Sequence, residues 1–463
     1  MFPTKWKKSL IIPIEKVANT RKCGEFRPVN MVPSYEKLLE LVVYEQLVNY
    51  VERNNLLTEF QSGFRKNNSC ESAIQSALVN WKAAINSKKL VGVVLLDFKR
   101  AFETIDRKLL LLKLEAMGFK GTVLKWFGDY LSDRWQEVKF GAKVSCAKKT
   151  VHGVPQGTVL GPILFILYVN DIFKYVNRCK IQLFADDTLL YVVGNDIKEV
   201  TEAINDDLLV LQDWFSNHNL KINIKKTKFM IFKNKYVQNC TDQNGYNVYI
   251  NGEKIEKVTE SKYLGIILDE HLSFSRHADY VTKKVAKKVN MLGRISHNLT
   301  YFSKLLIYQT IIAPHFNYCS TILFLLSKSE LDTLQKKQNQ AMRIILRASR
   351  YTSISSMLQQ LNILSVRQTV ILDSLTFVFK MLHNLLPLHL LDHCRFVADI
   401  HNYNTRSSDD LYVSTVHSNY AQNDLFHKGL VMYNNLPRTM RECLNVRKFK
   451  QQRREYVRGA VGI

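Results

Sequence analysis

The chain has 463 residues, 46% of them hydrophobic, with 65 Lys and Arg against 41 Asp and Glu and a net charge of +24. A composition this apolar excludes a disordered chain, and the length implies several domains or one domain with appendages. The excess of positive charge points to a polyanion partner, nucleic acid ahead of an anionic membrane surface. None of the eight cysteines forms a C-x-x-C pair, which argues against a zinc ribbon or a disulfide framework and for reduced thiols in a cytosolic or nuclear setting. No apolar run reaches the roughly 18 residues a membrane span needs, so no membrane partner is expected. The opening "MFPTKWKKSLIIPI" is interrupted by Pro13 and does not read as a signal peptide; it reads as chain already inside a folded domain, a fragment of something longer.

In chain order, "SLIIPI" is a short strand among basic residues. A helix is expected from about Asn68, where Asn68 and Glu71 make a capping-box-like start and Ile74, Ala77, Leu78, Trp81 and Ile85 keep helical spacing. "LVGVVLLDF" is a continuous apolar run, the pattern of a buried central strand, and it ends on Asp97. Asp106 caps a helix through "RKLLLLKLEAM", closed by Gly118. "HGVPQGTVLGPILFILYVNDI" is a Gly/Pro-punctuated loop feeding an apolar helix. Then come a hairpin at "KIQLFADDTLLYVV", a helix at "DDLLVLQDWFSNHNL" and a strand at "TKFMIF". Beyond residue 270 the pattern is mostly helical.

Asp186 and Asp187 stand between two apolar runs, and a surface turn is the plain reading of such a pair. Two points weigh against it. Two-residue hairpin turns favour Asn-Gly or Asp-Gly, and no Gly is near. A second apolar strand also ends on an acid, at Asp97. Carboxylates at neighbouring strand ends suit hard divalent cations, which take oxygen ligands and in pairs clamp the attacking and leaving oxygens of phosphoryl transfer. Of the two adjacent residues, Asp186 is expected to be the stronger ligand.

The ordered blocks "VVLLDFKRAFETID", "HGVPQGTVLGPILFILYVNDI" and "LFADDTLLY" resemble motifs A, B and C of reverse transcriptases, in the form found in non-LTR retrotransposons of the jockey and CR1 kind. "FRPVNMVPSYEKLLE" and "FQSGFRKNNSCESAI" resemble the fingers motifs, "LKINIKKTKFMIF" motif D, and "KYLGIILD" motif E. The resemblance implies an α+β fold, a right-hand polymerase with fingers, a palm with an antiparallel sheet and a helical thumb, plus a mostly helical C-terminal region. It places fingers and palm in residues 1–270, the thumb in 271–350 and an accessory region in 351–463. It implies RNA-directed DNA synthesis from a 3′-OH primer, with an RNA template, a DNA primer and dNTPs as partners and two Mg²⁺ ions, for which Mn²⁺ substitutes, as cofactors. Oligomeric state is left open. The implied setting is a cytoplasmic ribonucleoprotein and the nucleus, and the family's N-terminal extension and endonuclease are expected to be lacking.

Carried over residue by residue, the resemblance makes Asp97 and Asp186 metal ligands assisted by Asp187. Phe102, five residues after Asp97, becomes a steric gate against the ribose 2′-OH, although a core aromatic would look the same. Phe98, Gln156 and Gly157 fall at the nucleotide pocket, Gly157 letting the backbone approach nucleotide or template. Lys22 and Arg27 match positions that grip the triphosphate, although a solvated basic loop is the simpler reading. Lys226 matches the lysine that protonates leaving pyrophosphate, with Lys225 and Lys228 as close alternatives. Phe184 stands where retroviral enzymes carry Tyr.

Farther on, "YVTKKVAKKVNMLGRI" puts Val281, Val285, Val289 and Leu292 on one face and lysines on the others, a basic amphipathic helix. "LNILSVRQTVILDSLTFVFKMLHNLLP" reads as a packed helix pair, and the tail "VRKFKQQRREYVRG" as a basic accessory segment. Two other functions compete: a catalytically impaired, truncated nucleic-acid-binding relic, and a metal-dependent nuclease, which leaves "GVPQG" without a role.

Overall fold

A computed structural model describes residues 1–235, 245–400, 408–416 and 422–459. The chain is α+β and divides into two compact units. One comprises Met1–Lys66, Gly92–Phe229 and Thr241–Lys257; the other comprises Asn67–Val91, Met230–Cys240 and Val258–Ile463.

The strands are β1 (Lys8–Glu15), β2 (Phe26–Met31), β3 (Leu90–Leu96), β4 (Phe98–Lys99), β5 (Arg134–Phe140), β6 (Lys143–Val144), β7 (Lys148–Thr150), β8 (Lys180–Phe184), β9 (Asp187–Gly194), β10 (Lys221–Ile222), β11 (Lys228–Phe232), β12 (Tyr249–Ile250), β13 (Glu253–Lys254), β14 (Glu256–Lys257), β15 (Glu260–Tyr263) and β16 (Ile266–Asp269). A central sheet runs β14-β11-β3-β9-β8, and a second runs β2-β1-β5-β6 with β7 on β5. The first sheet carries both acidic strand ends, Asp97 after β3 and Asp186 between β8 and β9. Its β8–β9 pair is antiparallel as expected, but β11 and β14 pair in parallel. The long connection between β11 and β14 permits this, since a parallel pair needs a crossover rather than a tight turn.

Why β3 takes the middle of the sheet follows from its sequence. Its side chains are almost all buried, and β-branched residues suit a strand covered on both faces. Helix Leu160–Tyr168 is apolar all round and nearly fully buried, as such a helix must be. Helix Ile197–Asn217 is amphipathic. Asp196 caps it by accepting from the Glu199 N–H at 2.8 Å, and Val200, Ile204, Leu208 and Leu211 form its buried stripe. From the same helix the buried Asp207 accepts from the N–H groups of Asn177, Arg178 and Cys179 at 2.6–3.2 Å, anchoring the entry to β8. Asp106 caps helix Arg107–Ala116 as the sequence predicts.

In the second unit, helix Cys70–Asn86 begins one residue later than expected. Ser69, not Asn68, is the cap, in a reciprocal box with Ser72. Glu71 is used elsewhere: its Oε1 accepts from the Thr321 N–H (3.1 Å) and hydroxyl (2.7 Å). A tertiary contact has taken the carboxylate that the local pattern assigned to the cap. Strands β15 and β16 form a hairpin whose turn residues, Leu264 and Gly265, both have positive φ, the requirement of a tight two-residue turn. Helix Ser275–Ile295 buries Val281, Val285, Val289 and Leu292 as predicted. The expected helix pair near residue 370 is one helix, Val366–Leu382, preceded by the short helix Ile354–Leu361. Among the described residues no single helix is long and apolar enough to cross a membrane.

The packing at β3 leaves no room at Gly92. A Cβ there would stand 2.2 Å from Val200 Cγ1 and 2.9 Å from Ile204 Cδ1. Val200 is stiff at χ1, so the neighbour cannot swing aside. Gly92→Ala is expected to destabilise by about 1–3 kcal/mol, read as a lower urea midpoint with unchanged slope.

Candidate active site

The β8–β9 register pairs Phe184 with Asp187, leaving Ala185 and Asp186 as the two-residue turn. Ala185 takes φ 57°, a left-handed conformation that is costly for a residue with a Cβ. Residues 60–63 hold it there. Leu183 N–H donates to the Phe60 carbonyl (2.9 Å) and Ser62 N–H to the Leu183 carbonyl (2.8 Å). The side chain of Gln61, fully buried, accepts through Oε1 from both the Gly63 N–H (2.7 Å) and the Ala185 N–H (3.0 Å). Gly63 must be glycine, since a Cβ would stand 2.3 Å from the Ala185 nitrogen. Thus "FQSGF" braces the acidic turn, a role its sequence alone does not announce.

Asp97 follows β3 and is held by the segment after β10. The β4–β10 pair sets Ile222 opposite Phe98, and the next residue, Asn223, donates its N–H to the Asp97 carbonyl at 2.7 Å. Asn223 Nδ2 donates to Asp97 Oδ2 at 3.0 Å, and the Asp97 N–H donates to the Thr227 hydroxyl at 3.3 Å.

Asp97 and Asp186 face one cavity of about 680 Å³, which Phe98, Phe102, Gln156 and Lys226 also line. Phe102 stacks on Phe165 with ring centroids 4.4 Å apart, so the ring has a fixed floor and a half-exposed face. Of the three candidate lysines near residue 226, only Lys226 lines the cavity; Lys228 is turned to Glu256 and the Lys225 carbonyl. Arg27 lines the cavity, but Lys22 stands outside it on the exposed connection between β1 and β2. Lys16, which sequence reasoning passed over, takes the place beside Arg27. It follows β1 directly, and the β1–β2 pairing that sets Ile14 opposite Arg27 is the signal that would have found it. Asp187 starts β9 behind the turn and is not among the lining residues. Gly157 has φ 98°, and a Cβ on it would meet the Asn30 carbonyl at 2.8 Å. Its close neighbour is therefore β2, not the open cleft. Asn30 completes that contact, donating through N–H (2.8 Å) and Nδ2 (3.0 Å) to the Gln156 carbonyl.

Residues 8–268 match the family model described as reverse transcriptase (RNA-dependent DNA polymerase). The chain belongs to the reverse transcriptase family. It is 29% identical over 356 residues to a probable RNA-directed DNA polymerase from transposon X-element of Drosophila melanogaster, covering 74% of this chain and 38% of that one. It is 27% identical over 355 residues to the RNA-directed DNA polymerase from mobile element jockey of the same organism, again covering 74% and 38%. The expected kinship with jockey-type elements is borne out, and the chain spans about two fifths of the length of these curated relatives. Among solved structures it is similar to an apo telomerase from Candida tropicalis, with 11% identity, TM-score 0.40, and coverage of 83% of this chain and 69% of that one.

At this candidate site the carboxylates are open to water yet crowded by protein. Crowding raises the Asp186 pKa, with Asp97 adding to the rise and Arg27 and Lys16 opposing it. Asp187 is raised to about 6 by burial, then by Asp186 and Asp97. Negative charge is thus only partly compensated, which is the field a hard divalent cation relieves. Among the described residues no three His, Cys, Asp or Glu side chains are gathered as a ready cage. A Mg²⁺ site that uses one or two carboxylates plus substrate phosphates needs none, so the donor set fits.

The raised Asp187 value has a measurable consequence. A carboxyl whose folded pKa lies above its ordinary 3.8 adds stability that is complete below pH 3.8 and lost as pH rises through about 6. Asn at this position removes the loss. Metal-free Asp187→Asn is expected to melt above wild type at about pH 7.5, with the gap closing near pH 4; thermal melts at the two pH values check this.

Proposed function

We propose that the chain is an RNA-directed DNA polymerase of a non-LTR retrotransposon, extending a 3′-OH primer on an RNA template with dNTPs. One observation carries the reading: a single cavity is lined by two strand-end carboxylates, cations that include Lys16, Arg27 and Lys226, a stacked aromatic and Gln156. The family match over residues 8–268 supports it.

Asp97 and Asp186, assisted by Asp187, would hold two Mg²⁺ ions, which supply charge neutralisation and an activated primer hydroxyl when bound. The chain's own residues do the rest. Lys16 and Arg27 bind the triphosphate of the incoming nucleotide, the guanidinium by its fork and the ammonium as a point charge. Phe102, seated on Phe165, occupies the space a ribose 2′-OH would need. Phe98 and Gln156 line the nucleotide site. Lys226, exposed at the cavity edge, delivers a proton to the leaving pyrophosphate. The chemistry is chiefly positioning and electrostatics, as phosphoryl transfer requires.

In this reading residues 1–270 supply fingers and palm and 271–350 the thumb. There the exposed Lys283, Lys284 and Lys287 of helix Ser275–Ile295 follow a nucleic-acid backbone. Residues 351–463 form an accessory region. The complete cleft argues against the impaired relic.

Asp186→Ala is expected to cut primer extension on an RNA template by about 100-fold or more while leaving RNA affinity unchanged. Parallel loss of RNA binding would make the carboxylate structural. Phe102→Val should admit ribonucleotides, seen as a fall in the ratio of dNTP to rNTP incorporation; an unchanged ratio would remove Phe102 from sugar selection.

A further inference from the structure

Residues 223–227 meet the end of β3 at three points, of which two hold backbone. The Asn223 N–H on the Asp97 carbonyl and the Thr227 hydroxyl on the Asp97 N–H fix where the residue sits. The third contact, Asn223 Nδ2 to Asp97 Oδ2 at 3.0 Å, acts on the side chain alone. We propose that Asn223 is the positioning residue of the site: it locks the Asp97 carboxylate in one rotamer with Oδ1 presented for cation binding.

The chemistry of the contact argues for this role. A carboxylate bonded through one oxygen to a fixed donor loses its freedom to rotate, and that entropy is then not lost on binding a cation. The donor is neutral. A Lys or Arg at the same place would neutralise Asp97 and compete with the cation, and an Asp would add repulsion to a cleft where Asp186 and Asp97 already oppose one another. An amide orients without discharging. Asn223 itself lines the cavity, so it acts at the cleft wall. The Lys226 N–H donates to the Asn223 carbonyl at 2.9 Å, and the Thr227 N–H does so at the same distance. One short turn therefore sets the Asp97 rotamer and the position of Lys226 together. Hydrogen-bond partners of metal-ligating carboxylates commonly hold affinity in this way.

The inference rests on the reading of Asp97 as a cation ligand, and the test separates the two. Mn²⁺ is titrated into the full chain with RNA template, dideoxy-terminated DNA primer and dNTP, and bound ion is followed by electron paramagnetic resonance. Asn223→Ala removes the amide but keeps every backbone bond of the turn; Asn223→Leu keeps the branched shape and lacks the donor. Both are expected to weaken Mn²⁺ binding about tenfold with primer–template affinity unchanged. Wild-type Mn²⁺ affinity in both variants, alongside lost binding in Asp97→Asn, would overturn the positioning role alone. Wild-type affinity in Asp97→Asn would overturn Asp97 as a ligand and the proposal with it. Loss of primer–template affinity in step with Mn²⁺ in both Asn223 variants would make the contact merely structural and also overturn it.

Discussion

Like charge gathered at the ends of adjacent strands is the constraint around which the rest of the site is arranged. Asp97 and Asp186 face the same cavity, and Asp97 makes the ionised form of Asp186 harder to hold. If the fold discharged them with close ion pairs, nothing would remain to attract a cation. Instead the positive groups Lys16, Arg27 and Lys226 line the cavity with them, and Arg27 and Lys16 moderate the field at Asp186 without cancelling it. Neutral hydrogen bonds hold the acidic residues instead: Asn223 donates to the Asp97 carboxylate, and Gln61 accepts from the Ala185 N–H of the turn that carries Asp186.

Holding those bonds requires a stiff frame. Ala185 is in a conformation that costs free energy, and it persists because residues 60–63 pair with β8 and Gln61 fixes the turn from below. The other end of β8 is anchored by Asp207, whose carboxylate takes three backbone N–H groups. The hairpin is thus restrained at both ends before any substrate arrives. That restraint matters because positioning and preformed charge, not covalent chemistry, lower the barrier in phosphoryl transfer.

Local signals are legible in the sequence because local physics produces them. The β3 run, the Asp106 cap and the valine stripe of helix Ser275–Ile295 depend on neighbours a few residues away. The acidic strand ends were legible for the same reason. What escaped were contacts between segments far apart in the chain. Gln61 and Ala185 are separated by 124 positions, Asn223 and Asp97 by 126, and neither pairing leaves a trace in local spacing. The misplaced cap is the same effect in reverse: Asn68 with Glu71 has the right local form, but Glu71 is drawn to Thr321, 250 positions away. Lys22 and Lys16 belong to one basic stretch, and nothing in its local spacing shows that Lys16 is the one that lines the cavity.

Strand β2 shows how few elements are needed to join a cavity-lining cation to site geometry. Side chains alternate along a strand, so Arg27 and Asn30, three positions apart, belong to opposite faces. Arg27 is exposed toward the cavity; Asn30 is buried, with its Oδ1 accepting from the Ser9 hydroxyl at 2.7 Å and its donors on the Gln156 carbonyl. Gly157 then has to be glycine because the loop lies against the β2 backbone. One strand therefore presents Arg27 to the cavity on one face and fixes the loop bearing Gln156 on the other. A shift of β2 by a single residue would exchange the faces and dismantle both at once, so its register with β1 is as much a part of the site as the carboxylates are.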